Sequence, residues 1–487
     1  MPNSLAYLML MIWPLVSVVI YRRFPLERAI LWCLIAGYLL LPPVAEFDLP
    51  LVPDMDKASI PSIMAFLLCV FMMKKSVPLR PRHPVAVVLM LLFLVSVIPT
   101  VITNRDPLIF QVLAGSDPIV FITDMIPGMK MRDLGSVMIN QVILMLPFLL
   151  ARRYLSSTEA QKELILTLVT ATLLYSLLGL VEVRLSPQVN TWVYGFFQHD
   201  FSQTIRQGGY RPLVFLEHPL WYALFIVYGL LCATALLREA SGTERTRKGM
   251  VFAYLLVFLY LCKSLAAQLY AICFIPVLLW APLRWQLRLA LLLGAIAVIY
   301  PMLRNLDMIP TDAIVAYAES YSADRAQSLG YRFDNEELML SRAAEKPIFG
   351  WGEWGRNLVR DPETAFIVSV PDGRWIIVFG SFGWLGYIAE MGLLTFPLLL
   401  LWQQVRRHDP TTLSPYLGAI VLILAATLID MLLNATLIPL TWLCAGSILG
   451  YAERLKYPDL FQKRRALFDG KQAIGLPKAA DQPRSLM

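Results

Sequence analysis

Charge is scarce in this chain. Asp, Glu, Lys and Arg make up 16% of 487 residues, against about a quarter in an ordinary soluble domain, and this excludes a conventional water-solvated surface. Histidine is scarcer still: His83, His199, His218 and His408 are the only four, with no pair at metal-ligand spacing. The six cysteines (33, 69, 232, 262, 273 and 444) show no CxxC spacing and fall in or beside apolar runs, so they are expected to be packing residues. No metal and no cofactor are expected. Asp54-Met55-Asp56 has the DxD form of metal-binding glycosyltransferases, but solvated loop acids are the expected reading of three such residues. A basic patch interleaved with aromatics is also missing, which argues against nucleic acid as a partner. The first apolar run lacks a basic start and an A-x-A-like site, so it is expected to be a retained first span.

What is present is apolar sequence: 57% hydrophobic residues and a mean hydropathy of +0.61. A helix crosses a bilayer core in about 20 residues, and about thirteen runs approach that length. They lie at 4–21, 28–44, 59–73, 84–102, 134–151, 163–182, 214–236, 250–263, 265–282, 287–302, 375–403, 412–433 and 435–451. The fold class expected is an all-α polytopic membrane protein of about 12–14 transmembrane helices. Residues 1–302 hold the first ten, 303–374 a large external loop, 375–451 the last three and 452–487 a basic tail. The eleventh run is long enough to predict a kink or re-entrant start at Gly380, Gly383 and Gly386.

Lys and Arg concentrate in alternate loops, around Arg22, Lys74, Arg152, Arg238, Arg284 and Arg406, which places those loops and the C-terminus inside. The opposite set includes the long connections 103–133, 183–213 and 303–374, the last with 12 acidic and 8 basic residues. Within it, 311–328 and 335–346 have helical periodicity, the second predicted to start at Asp334 with Glu336 and Glu337 in its first turn. The glycines of Pro347-Ile-Phe-Gly-Trp-Gly-Glu-Trp-Gly355 permit a tight turn.

Ionisable groups at the ends of membrane spans are costly and point to function. Here they share a side. Arg211, Glu217 and His218 lie at the outer start of the seventh span, Lys263 lies in the outer turn between the eighth and ninth, and Asp372 and Arg374 lie at the outer entrance to the eleventh. Arg332 and Arg356 belong to the large loop. Several guanidinium and ammonium groups with a few carboxylates suit a phosphate-bearing lipid, because Arg grips phosphate oxygens through two parallel hydrogen bonds. Glu390, Asp430 and Asn434 are expected to bond helix to helix.

Three of these elements resemble the O-antigen ligase/polymerase superfamily (Wzy/WaaL-like), across roughly 205–395. Arg211-Pro-Leu-Val-Phe-Leu-Glu-His218-Pro219 is similar to its arginine followed by an H/N-P step. Arg332 through Glu345-Lys-Pro347-Ile-Phe-Gly350-Trp-Gly352 is similar to its arginine helix leading into P-x-F-G-x-G. Asp372-Gly-Arg-Trp375, followed by Gly383-Trp-Leu-Gly386, is similar to the opening of its next span. The chain differs in carrying Asp372 where ligases have histidine, and Cys262-Lys263-Ser264-Leu265 where many members have T-x-S-R.

The resemblance implies a GT-C-like, metal-independent membrane glycosyltransferase in the bacterial inner membrane, acting on its periplasmic side. Donor and acceptor would be undecaprenyl-diphosphate-linked glycans, with membrane lipids around the protein and a chain-length regulator and flippase as partners. The expected activity is polymerisation of exopolysaccharide or O-antigen repeat units. A ligase passing finished glycan to a lipid or protein is the alternative, and a transporter or flippase of lipid-linked sugars a second. Asp372 is the expected base, with Glu217 second. Arg211 and Arg332, joined by Lys263 or Arg356, would stabilise the leaving diphosphate. His218 and Arg374 would position sugar or phosphate.

Overall fold

The computed structural model describes residues 1–48, 52–114 and 119–458. Most of the 452–487 tail therefore lies outside the described residues, although its first turn continues the last helix. A helix forms at each of the thirteen apolar runs. They are α1 (Ser4–Arg23), α2 (Leu26–Leu40), α3 (Ser59–Leu67, continued by a π turn to Met72), α4 (Pro84–Val95) with α5 (Val97–Ile102), α6 (Met131–Tyr154) and α7 (Thr158–Leu185). After the short α8 (Val189–Tyr194) come α9 (Pro219–Glu239), α10 (Gly242–Leu261), α11 (Leu265–Trp280) and α12 (Leu283–Asn305). The large loop supplies α13 (Thr311–Glu319) and α14 (Ala323–Ala344), and the chain ends with α15 (Arg374–Val405), α16 (Leu417–Leu433) and α17 (Pro439–Lys456).

Among the described residues, seven helices are long and apolar enough to cross a membrane by length and composition. Ser59–Met72, Leu265–Trp280 and Leu417–Leu433 are apolar but shorter, and α10 opens on the charged stretch Thr243-Glu-Arg-Thr-Arg-Lys248. The molecule is thus a predominantly helical, multi-pass membrane protein. Its packing fits a lipid solvent. Helix α9 is buried nearly all round, held among α7, α10, α11 and α16. The outer helices instead expose apolar side chains, such as Met11 and Leu15 of α1, Val88 and Leu91 of α4, and Ile272 of α11, as expected where hydrocarbon replaces water. All six cysteines are free; five are buried and Cys273 is exposed on α11.

Two of the long connections depart from the all-helical expectation. Residues 103–133 contain an antiparallel hairpin, β1 (Leu108–Ala114) against β2 (Ile119–Ile126), with Leu108 opposite Ile126. A second, minimal hairpin pairs β3 (Ile205–Arg206) with β4 (Gly209–Tyr210). Its corner residues Gln207 and Gly208 have φ of 50° and 66°, the left-handed pair that matches strand twist. Helix α14 begins after Ser322, not at Asp334: residues 323–334 continue the helical path, so Asp334, Glu336 and Glu337 lie mid-helix.

The eleventh run folds back on itself. Gly383 has φ 62° and ψ −163° within α15, and Arg374 grips Glu390 through two bonds of 2.8 and 2.6 Å. Residues sixteen apart on a straight helix would be separated by about 24 Å, so a short re-entrant arm, 374–382, must double back on the spanning arm, 384–405. The Pro347–Gly355 turn seals this corner. Trp351 N donates to Gly380 O (2.8 Å), Gly352 N to Ser381 O (2.9 Å) and Trp384 N to Pro347 O (2.8 Å). A Cβ at Gly383 would overlap the Ile348 carbonyl, and one at Gly350 the Ser381 carbonyl.

Candidate functional site

The segment before α9 carries Arg211 and His218 and is fixed residue by residue. Glu182, near the end of α7 and 1% exposed, accepts from the backbone N–H groups of Leu213 (2.9 Å), Val214 (2.8 Å) and Val189 (3.0 Å). The Tyr175 hydroxyl accepts from Phe215 N (3.0 Å). Gln198 Nε2 donates to the carbonyls of Val214 and Leu216 at 2.8 and 3.0 Å. Lys57, buried in the α2–α3 connection, donates to the Phe215 carbonyl at 2.9 Å and pairs with Glu217 at 3.6 Å. Burial pushes the Lys57 ammonium down, opposed by Glu217 and Asp56. His218 then starts α9, its Nδ1 accepting from Leu220 N at 2.9 Å, with Pro219 in the first turn, where its missing N–H costs nothing.

This scaffold opens into a pocket of about 540 Å³ whose lining includes Arg206, Arg211, His218, Lys263, Arg325 and Arg332. Five of these are cationic residues, and among the described residues no Asp or Glu lines the pocket. Arg206 comes from the β3–β4 hairpin. Lys263 sits at the α10–α11 turn with φ 52° and donates to the carbonyls of Arg206 (3.1 Å) and Gln207 (3.3 Å). Arg325, Ser328, Leu329 and Arg332 share one face of α14, at i, i+3, i+4 and i+7. Tyr317 of α13 and Tyr321 contribute aromatic rims, both largely exposed.

Arg211 is 4% exposed, with a single weak bond from Nη1 to Gln203 O (3.4 Å) and no partner for Nε. Burial, followed by the neighbouring Arg206 charge, pushes it down to about 10. His218 is pushed down to about 3 by burial, then by His199, Arg211, Arg332 and Arg206. It is therefore neutral at physiological pH. Although His199 and His218 are not at ligand spacing in sequence, their rings meet at 4.4 Å.

Asp372 stands beside the pocket, its carboxylate 3.6 Å from Arg332 Nε; burial raises its pKa while Arg332 opposes the rise. Glu217 is adjacent through His218, paired with Lys57 and with its Oε2 unpartnered. Of the eight residues singled out in the sequence, the structure thus gathers Arg211, His218, Lys263 and Arg332 in one pocket, with Asp372 and Glu217 at its margin.

Arg356 and Arg374 are placed elsewhere. Arg356, 2% exposed, donates to the carbonyls of Pro127 (2.9 Å), Asp106 (3.0 Å) and Trp351 (3.3 Å), clamping the β1–β2 hairpin to the glycine-rich turn. Arg374 locks the re-entrant arm through Glu390. Neither lines the cationic pocket. Asp56 caps α3, accepting from the backbone N–H groups of Ala58 and Ser59 at 2.9 and 2.7 Å. Sequence reasoning missed Arg206, Arg325 and Glu182. The heptad spacing of Arg325 and Arg332 was a usable signal, as was a lone carboxylate closing the sixth apolar run.

Neither a protein-family model nor a curated protein matches the chain.

Proposed function

We propose that the protein is a membrane glycosyltransferase that polymerises polyprenyl-diphosphate-linked repeat units of an exopolysaccharide or O-antigen, at the periplasmic face of a bacterial inner membrane. The observation that carries this reading is the pocket of five cationic residues with no acidic side chain among the described residues of its lining. Such a lining is electrostatically unsatisfied without an anion, and a diphosphate supplies clustered oxygens that match guanidinium forks. The exposed tyrosines and the pocket's place at the head of α9 suit a ligand whose lipid tail stays in the bilayer.

In the proposed reaction the acceptor hydroxyl oxygen attacks the anomeric carbon of the donor sugar. The new glycosidic bond forms as the bond to the diphosphate oxygen breaks. The bonding electron pair leaves with the polyprenyl diphosphate, and the hydroxyl proton passes to Asp372. Arg211 and Arg332 stabilise the charge developing on the leaving group, where preorganised cations act most strongly. Lys263, Arg206 and Arg325 add attraction from the rim. Neutral His218 offers a ring nitrogen to a sugar or phosphate oxygen. An acid at 372, where ligases of the resembling superfamily carry histidine, favours polymerase over ligase.

Proteoliposomes carrying the purified protein and lipid-linked repeat units test this directly. The expected product is a ladder of lengthened glycans, lost in Arg211→Ala and Asp372→Ala. Unchanged length and yield in either variant would overturn the assignment. Movement of the lipid-linked unit across the bilayer without lengthening would identify a flippase instead.

A further inference from the structure

A second cavity of about 620 Å³ lies between the first external loop, the opening turns of α6, the Glu353-Trp354 turn and the start of α17. Its size falls within the roughly 300–1,000 Å³ of small-ligand sites. Its chemistry is opposite to that of the cationic pocket. Glu46, Asp48, Asp54, Asp56, Asp133 and Glu353 line it. Arg132, the one basic residue in the lining, is paired with Asp133 at 3.5 Å. A diphosphate is repelled from such a lining, so the two cavities cannot serve the same chemical group.

Burial raises the pKa of Glu46, and Asp54, Asp56 and Asp48 lie near enough to add to the rise. Among the described residues, no three His, Cys, Asp or Glu side chains are grouped so as to hold one metal ion. Separate acceptors of this kind match separate hydroxyl groups on an extended ligand. Two indoles complete the lining. Trp354 is 54% exposed at the rim and offers a ring face for sugar C–H bonds. Trp442 is 1% exposed, and its N–H has no partner. A buried donor without an acceptor is uncommon, and this one belongs to a residue that lines the cleft.

We infer that this cleft is a saccharide site that seats the acceptor glycan beside the cationic pocket. The acceptor assignment rests on the glycosyltransferase reading; the saccharide chemistry does not. The Lys57–Glu217 ion pair joins the two cavities: Asp56 and Ala58 flank Lys57 and line the cleft, while His218 follows Glu217 and lines the cationic pocket. Glu353, pushed up to about 7 mainly by burial, can both donate to and accept from a hydroxyl near neutral pH.

The test is calorimetric binding to the full-length protein in lipid nanodiscs, with two probes. One is inorganic diphosphate; the other is a tri- to pentasaccharide fraction released by mild acid from the source cells' own polysaccharide. Trp354→Ala is expected to weaken oligosaccharide binding at least tenfold and leave diphosphate binding unchanged, with Trp354→Phe restoring most of the loss. Arg211→Ala is expected to do the reverse. The inference is overturned if oligosaccharide binding is absent, is equal in Trp354→Ala and the wild type, or falls with Arg211→Ala as far as diphosphate binding does. It is equally overturned if magnesium ion binds the wild type and displaces the oligosaccharide. In each of those cases, Arg211-dependent diphosphate binding leaves the proposed function standing. Oligosaccharide binding without diphosphate binding would remove the proposed function and keep the saccharide site.

Discussion

Replacing Glu182 by glutamine changes one buried oxygen to an NH2 group and tests how the cationic pocket is held in shape. The wild-type carboxylate accepts three backbone N–H bonds, two of them on Oε2 from Leu213 and Val214 and one on Oε1 from Val189. A glutamine can present its remaining oxygen to Leu213 and Val214, but its NH2 then faces the Val189 N–H, donor against donor. Hydrogen bonds to a charged group are worth about 1.5–3 kcal/mol each, so one lost bond weakens the clamp by about 2 kcal/mol. If that energy is spent entirely in releasing residues 211–216, the binding-competent fraction, and with it the apparent affinity, falls by at most roughly thirty-fold. Calorimetric titration of inorganic diphosphate into the full-length variant measures the affinity, and a thermal melt measures the fold. Weakened binding at temperatures well below the melt is the expected result. Wild-type affinity in a variant that merely melts earlier would refute the claim that Glu182 positions Arg211.

Other perturbations separate the roles of neighbouring residues. Arg211→Lys keeps the charge but loses the fork, so diphosphate binding should fall by about tenfold, one hydrogen bond to a charged group or less, and Arg211→Ala should bind more weakly still; equal binding by all three forms would count against the pocket. Gly383→Ala places a methyl group against the Ile348 carbonyl at φ 62° and should cost well over 1 kcal/mol, read as loss of folded protein on size-exclusion chromatography. Arg356→Ala strands three carbonyls and should lower the melting temperature while leaving diphosphate affinity within twofold. His218 is held neutral, with a folded-state value of about 3 against an ordinary 6.5. The unfolded chain therefore binds the extra proton first, and stability is lost as pH falls from about 6.5 towards 3. His218→Asn, which can still cap α9, should flatten the melting temperature across that window; an unchanged slope would contradict the assignment.

Span positions were legible because a bilayer imposes one strong rule on sequence. Each apolar run became a helix, and the glycine cluster at 380–386 correctly marked a break. Charges at the ends of runs located Arg211, His218, Lys263, Arg332 and Asp372 together, since helix ends separated by whole crossings share a face. Which arginine meets which partner was not legible. Arg374 and Glu390 are brought together only by the Gly383 fold-back, and Arg356 is claimed by carbonyls at positions 106 and 127, more than two hundred residues away. Neither contact has a local signature. The β1–β2 hairpin escaped because a window tuned to twenty-residue helices averages over strands of seven and eight residues, and the true start of α14 because Asp334 imitates a cap within a longer helix.

The pocket's composition carries a further consequence. Arg206, Arg211, Lys263, Arg325 and Arg332 repel one another in a lining whose described residues include no acid, with Asp372 meeting Arg332 at the margin, and Arg211 spends its burial on a single weak bond. Elsewhere Arg152 meets Glu453 at 3.1 Å, Arg304 meets Glu336 at 3.4 Å and Arg374 meets Glu390 at 2.6 Å, while buried Arg356 is satisfied by three backbone carbonyls. The contrast is local, so it does not come from a general shortage of carboxylates. Glu182 lies close enough to clamp the Leu213 and Val214 backbone, yet it is fully engaged there and leaves the guanidinium of Arg211 without a counter-ion. A fold that gives Arg152, Arg304 and Arg374 a carboxylate and Arg356 three carbonyls, but gives Arg211 one weak bond, has the electrostatics of a binding site whose missing charge arrives with the ligand.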